Sequence, residues 1–265
     1  MYKLISLFAA LILGTSVAHA KVVGEEITYT DNGVKMKGFL AYDKHIKNPR
    51  PGVLVVHEWW GHNEYARKRA LLLAGMGYTA LAVDMYGDGK TANHPDDAGK
   101  FAGEVGKNMP VAKSRFEAAM KVLARHKTVA PGQIAAIGYC FGGGVVLNMA
   151  RASVDLKGVA SFHGPLASGM PVEKGQVKAK VAVFTGADDP MVPKTQVEAF
   201  EKEMAAAGVD YSLTSYPGVK HSFTNPDADK FAQQFKLPLA YDANADKDSW
   251  KKLDEFLVGL FGPRE

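Results

Sequence analysis

Ile137-Gly138-Tyr139-Cys140-Phe141-Gly142-Gly143 is the stretch that decides how this chain folds. An apolar run, Gln133-Ile134-Ala135-Ala136-Ile137, leads into it, and a helix-forming run, Gly142 to Ala150, leads out. The segment between has the form G-x-nucleophile-x-G, with cysteine where serine is usual. Such a nucleophile sits on a strained strand-to-helix turn. Glycines two before and two after let the chain bend there without a clash. The helix that starts beyond the turn favours negative charge at the sulfur and offers free backbone N–H groups to an oxyanion. Gly143 and Gly144 allow that helix to lie close against the sheet. Cys140 is also the one cysteine of the chain, so an intramolecular disulfide and a cysteine-rich zinc or iron–sulfur site are both excluded.

Outward from this point the chain alternates short apolar runs with amphipathic stretches. Val53-Leu54-Val55-Val56 and Ala80-Leu81-Ala82-Val83 read as strands buried on both faces, as do Val159-Ala160-Ser161-Phe162 and Val181-Ala182-Val183-Phe184. Tyr211 to Tyr216 is a further strand. Helical spacing follows from Glu64, from Val111 to His126 after Pro110, from Thr195 to Ala207, and from Ser249 to Phe261. Near the start, Glu26 to Thr30 and Met36 to Ala41 flank Asp31-Asn32-Gly33, a hairpin signal that predicts an antiparallel edge. The pattern predicts an α/β fold with a mostly parallel central sheet and helices on both faces, in one domain over residues 21–265.

In such sheets ligands bind beyond the carboxyl ends of the strands. The chemically capable residues fall there: Glu58, Asp84, Cys140, His163, the pair Asp188-Asp189, and His221. A thiolate needs a base, and the base needs a group that orients it. The chain order of elbow enzymes is nucleophile, acid, histidine, which selects His221 as base and the Asp188-Asp189 loop as source of the acid. Asp189 is the preferred orienter because it opens Asp189-Pro190-Met191-Val192-Pro193, with Asp188 the alternative. His163 either lines the pocket or is a hydrogen-bonded core histidine.

With these residues in place, the sequence resembles the dienelactone hydrolase family of the α/β-hydrolase fold. The resemblance is carried by Ile137 to Gly143, by Gly186 to Pro193 and by His221-Ser222-Phe223. His57-Glu58-Trp59-Trp60-Gly61 and Asp84-Met85-Tyr86 add to it. It implies a Cys140–His221–Asp189 triad and a Glu58 carboxylate that helps generate the thiolate. It also implies an oxyanion hole from the backbone N–H groups of Trp59 and Phe141. Where dienelactone-cleaving members carry carboxylate-binding arginines, this chain has Asp88 and Asn225. Neither can clamp a carboxylate as a guanidinium does, which points away from dienelactone itself. Trp59, Trp60, Tyr86 and Phe141 suggest a more apolar or aromatic pocket, although Trp60 could equally be core.

The expected activity is therefore hydrolysis of small esters or lactones through an acyl-enzyme, with no cofactor and no metal. His57 and His62 are five residues apart, whereas a zinc helix needs i and i+4. The alternatives are a non-catalytic small-molecule binding protein on the same fold, or acyl transfer or peptide cleavage by the same triad. Lys+Arg of 32 against Asp+Glu of 28 gives +4 with no basic run, which argues against nucleic-acid binding. Residues 1–20 read as a secretory signal: Lys3, an apolar stretch from Leu4 to Leu13, then Ala18-His19-Ala20 before a cut. That stretch is shorter than the roughly 20 residues a bilayer span needs, and no cysteine follows for a lipid anchor. Export, most simply to a bacterial periplasm, with no membrane anchor after cleavage, is the expectation. The sequence leaves the oligomeric state open.

Overall fold

Val53, Val55, Ala135 and Ile137 pack into one apolar cluster, while Leu54, Val56, Ile134 and Ala136 pack into another. Alternate residues of a strand point to opposite faces, so these runs have a core on either side. Each fully buried Val, Leu or Ile contributes about 1.5–3 kcal/mol, which is why the runs are continuously apolar. The computed structural model describes residues 21–170 and 172–264. The signal segment expected over residues 1–20 lies outside them.

The strands are β1 (Val22–Asp31), β2 (Val34–Asp43), β3 (Arg50–Val56), β4 (Thr79–Val83), β5 (Val129–Tyr139), β6 (Gly158–Phe162), β7 (Lys180–Gly186) and β8 (Tyr211–Tyr216). They form one sheet in the order β1-β2-β4-β3-β5-β6-β7-β8. β1 and β2 are the expected hairpin, and β2 runs antiparallel to β4. All other neighbours are parallel. The helices are α1 (Glu64–Gly75), α2 (Pro95–Gly106), α3 (Met109–Ala124), α4 (Phe141–Arg151), α5 (Lys194–Ala207), α6 (Ala228–Phe235) and α7 (Ala243–Phe261).

Two differences from the expected elements have local causes. α3 begins at Met109, one residue before Pro110, because Asn108 caps it by accepting from the Val111 N–H at 3.3 Å and proline is tolerated in a first turn. α2 and α6 are helices that the periodicity does not announce. α2 is PDDAGKFAGEVG, with three glycines that weaken its helical signal, and α6 has only eight residues. Both are anchored by the aromatic cluster around Trp60 rather than by intrinsic preference. Trp60, Ala92 and Ala98 are buried there against Phe101, Phe231, Phe235 and Leu237.

The β5–α4 turn explains its glycines. Cys140 sits at φ +50, in the left-handed region that side chains rarely adopt. A Cβ on Gly142 would stand 2.6 Å from the His57 carbonyl oxygen and closer still to that of Val56. One on Gly143 would meet Ser161 Oγ at 2.6 Å and Gly164 Cα at 2.9 Å. The Gly142 N–H donates to His57 O at 3.1 Å, tying the turn to the loop after β3. Gly142→Ala is therefore expected to destabilise the fold by about 2 kcal/mol or more, since backbone and not a flexible side chain must move. A denaturant midpoint unchanged from wild type would contradict this packing.

Candidate active site

Cys140 is half-buried at the end of β5 and is itself the N-cap of α4. Negative charge at that position is favoured by the helix N-terminus, an effect of roughly 0.3–1 kcal/mol. His221 lies on the loop beyond β8 and Asp189 on the loop beyond β7, and both are buried. His221 Nδ1 and Asp189 Oδ2 are 2.7 Å apart. The other Asp189 oxygen accepts from the Met191 N–H at 2.8 Å, which fixes the carboxylate. Asp188 is exposed, so of the two candidate acids it is Asp189 that meets the histidine.

His221 Nε2 is buried and forms no regular hydrogen bond, and Cys140 is close enough to act electrostatically on the ring. Burial by itself lowers the affinity of the imidazole for its proton. The charge and hydrogen bonding of Cys140, together with Asp189, outweigh burial and push His221 up to about 10. A histidine whose hold on its proton is strengthened by both a thiol group and a carboxylate is what a nucleophile–base–acid row requires.

Glu58 lies just past β3 and is buried. Its carboxylate accepts from Ser222 Oγ at 3.0 Å and from Asn225 Nδ2 at 2.6 Å. Burial raises its pKa, and these two hydrogen bonds oppose the rise. Asn225 is thus buried and engaged, while Asp88 is exposed on a turn at φ +57. Ser222, at φ +58, follows His221 directly, so Glu58 ties the β3 loop to the loop carrying the histidine.

The backbone N–H groups of Trp59 and Phe141 donate to no acceptor among the described residues. Phe141 is the first residue of α4, where such N–H groups have no intrahelical partner. Tyr86 braces the facing loop by donating its hydroxyl to Trp59 O at 2.9 Å. An aromatic wall stands beside Cys140. The Phe141 ring stacks at 5.8 Å from His57 and 5.5 Å from Tyr86, and Phe101 is 5.6 Å from Tyr86. Trp60 is 3% exposed and packs on Phe231 at 4.6 Å, so it belongs to the core under α2 and α6. His57 uses both ring nitrogens on the backbone, donating to Glu58 O at 2.6 Å and accepting from Met85 N–H at 3.3 Å. Burial lowers its pKa to about 4, so it is neutral.

His163, after β6, is fully buried and hydrogen-bonded to Thr224 Oγ1 at 2.8 Å, with its ring 5.2 Å from that of His221. Thr224, Tyr65 and Arg69, which hold it, are not prefigured by any local motif. Tyr65 and Arg69 do share one helical face at i and i+4 in α1, but their partners lie more than 150 positions away.

A mostly parallel sheet with a cysteine on a sharp strand-to-helix turn, and an aspartate and a histidine in contact on later strand-end loops, has the layout of an α/β-hydrolase. The dienelactone hydrolase family model matches residues 36–260, and the chain belongs to that family. It is thus a hydrolase of the ester- and lactone-cleaving kind. The fold is shared with a dienelactone hydrolase-like promiscuous phosphotriesterase from metagenomic libraries. That structure is 33% identical, with a TM-score of 0.83, covering 91% of this chain and 99% of the other. Among curated relatives, Protein usf of Aquifex pyrophilus is 29% identical over 233 residues, 86% of this chain and 95% of that protein. A putative carboxymethylenebutenolidase of Aquifex aeolicus is 28% identical over 208 residues, 77% of this chain and 88% of that protein.

Proposed function

We propose that this chain is an exported cysteine hydrolase of small uncharged esters or lactones, working through an acyl-enzyme. Cys140 Sγ attacks the carbonyl carbon, and the carbonyl electrons move onto oxygen. The Trp59 and Phe141 N–H groups receive that oxyanion in a partly dry site, where preorganised donors act most strongly. His221, protonated at Nε2, gives its proton to the departing oxygen. Asp189 holds the ring orientation through Nδ1 and stabilises its positive charge. Water then attacks the thioester with His221 as base, and the acid leaves. Glu58 favours the thiolate by bracing the His221 loop through Ser222 and adding negative charge near the imidazolium. The observation that carries this reading is the 2.7 Å His221–Asp189 contact, with Cys140 acting electrostatically on the same ring.

The preference for uncharged substrates rests on Asp88, which is exposed and cannot supply a cation, and on Asn225, which is hydrogen-bonded to Glu58. Neither leaves a cation for a carboxylate, while Phe141, Tyr86 and Phe101 offer apolar surface. A panel of 4-nitrophenyl acetate, butyrate and hemisuccinate tests this. The neutral esters are expected to exceed the hemisuccinate in kcat/KM by roughly tenfold or more, about 1.4 kcal/mol. Prior carboxamidomethylation of Cys140 is expected to stop all three. Equal turnover of the anionic ester would contradict the substrate class, and turnover that survives alkylation would contradict the nucleophile.

A further inference from the structure

Behind His221 runs a polar chain, buried at Arg69, Thr224 and His163 and half-buried at Tyr65 and Asp246, that the reaction scheme does not use. Asp246 Oδ1 accepts from Arg69 Nη2 at 2.6 Å, and Arg69 Nη2 also donates to Thr224 O at 2.6 Å. Arg69 Nε donates to the Tyr65 hydroxyl at 3.2 Å. Tyr65 OH and Thr224 Oγ1 are 2.6 Å apart, and Thr224 Oγ1 and His163 Nε2 are 2.8 Å apart. The chain ends at a ring lying edge-on to His221, at 5.2 Å and an interplanar angle of 69°.

The direction of this chain is set at one end. Guanidinium nitrogens only donate, so Tyr65 oxygen accepts from Arg69. The Tyr65 hydrogen then has one acceptor within reach, Thr224 Oγ1, and the Thr224 hydrogen has one, His163 Nε2. Nε2 is therefore the acceptor and the ring proton sits on Nδ1. The opposite direction would strand the Tyr65 hydrogen as well as Nδ1, which has no partner among the described residues in either case. Each unsatisfied polar atom away from water is costly, and the first direction leaves one, the Nδ1 hydrogen, where the reverse leaves two, so the first direction prevails. The backbone supports a functional constraint here. His163 is held at φ +40, and with Cys140 and Ser222 it is one of three non-glycine residues at the site in the left-handed region.

We propose that His163 is a positioning residue. It is a neutral imidazole, protonated on Nδ1, that the Arg69–Tyr65–Thr224 chain locks against the His221 ring, keeping that ring aimed at Cys140. Neutrality matters because a second charge beside the His221 imidazolium would repel it. Burial and the His221 charge both hold His163 well below its ordinary range. The claim that this aim serves turnover rests on the triad reading above.

The test combines kinetics with histidine ¹⁵N NMR on the whole chain. Thr224→Val and Tyr65→Phe are each expected to lower kcat on 4-nitrophenyl acetate by roughly ten- to a hundredfold with KM little changed, as loss of a supporting hydrogen bond does elsewhere. Thr224→Ser, which keeps the hydroxyl, is expected to restore kcat to within a few-fold of wild type. In the wild-type spectrum His163 is expected to show a protonated Nδ1 and a bare Nε2, and Tyr65→Phe is expected to shift that balance. Unchanged kcat in both variants, or a Thr224→Ser protein as slow as Thr224→Val, would overturn the positioning role. A protonated Nε2 on wild-type His163 would overturn the chain direction. If the wild type hydrolyses no ester, the triad reading fails, whereas the nitrogen signals still decide the state of His163.

Discussion

Cys140→Ala is expected to lower kcat on activated aryl esters by about 10,000-fold or more, with the thermal midpoint little changed. The magnitude follows from the role: without the sulfur there is no acyl-enzyme, and only binding and the oxyanion donors remain to accelerate attack by water. The near-neutral effect on stability follows from the setting. Cys140 is half-buried, and its strained backbone at φ +50 costs alanine no more than it costs cysteine. Steady-state kinetics with 4-nitrophenyl acetate, beside a melting curve, separates the two effects. A variant that keeps its fold and more than a few per cent of wild-type turnover would show that another group attacks the ester. Cys140→Ser is a finer probe. A hydroxyl in the same place is not ionised by a histidine at neutral pH, so its activity should also be severely reduced although its geometry is kept.

Asp189→Asn is expected to cost roughly 100- to 10,000-fold in kcat/KM and to move the alkaline limb of the pH profile. The sign is set by what holds His221 up. Burial lowers its pKa, while the Cys140 charge and the Asp189 hydrogen bond and charge raise it, to about 10. As a proton donor to the leaving group, His221 is competent below that value and fails above it. Wild-type kcat/KM is therefore expected to fall as pH rises through about 10. Asparagine removes one of the raising influences, so the limb must move to lower pH. It also offers an amide that can donate toward Nδ1, favouring the wrong tautomer and adding to the loss. Profiles from pH 7 to 11 decide the matter. A limb that stays in place, or moves upward, would show that Asp189 does not control the imidazole.

Much of this arrangement was legible in the sequence because its signals are local. Buried parallel strands are continuously apolar, the turn at Cys140 needs its flanking glycines, and the order cysteine, acid, histidine follows from the strand order. Asp189 over Asp188 could be favoured only by its proline-flanked setting. Which of two adjacent side chains faces inward depends on the loop backbone after β7, and it is settled by the 2.7 Å contact with His221. What stayed hidden was non-local. The Glu58 partners, Ser222 and Asn225, lie 164 and 167 positions away. Asn225 could be read as a missing arginine but not as the residue that occupies Glu58. Trp60 could be core or pocket until α2 and α6 were placed above it. Those helices owe their position to that tryptophan more than to their own composition. Among the described residues no helix is long and apolar enough to cross a membrane.

The most direct test is to catch the intermediate. Intact-mass and peptide mass spectrometry after rapid acid quench of the protein turning over 4-nitrophenyl butyrate should find one butyryl group, on the peptide containing Cys140, absent from Cys140→Ala. Sustained turnover with that peptide unmodified at every quench time, or with the acyl group on another side chain, would contradict a cysteine nucleophile at the β5–α4 turn.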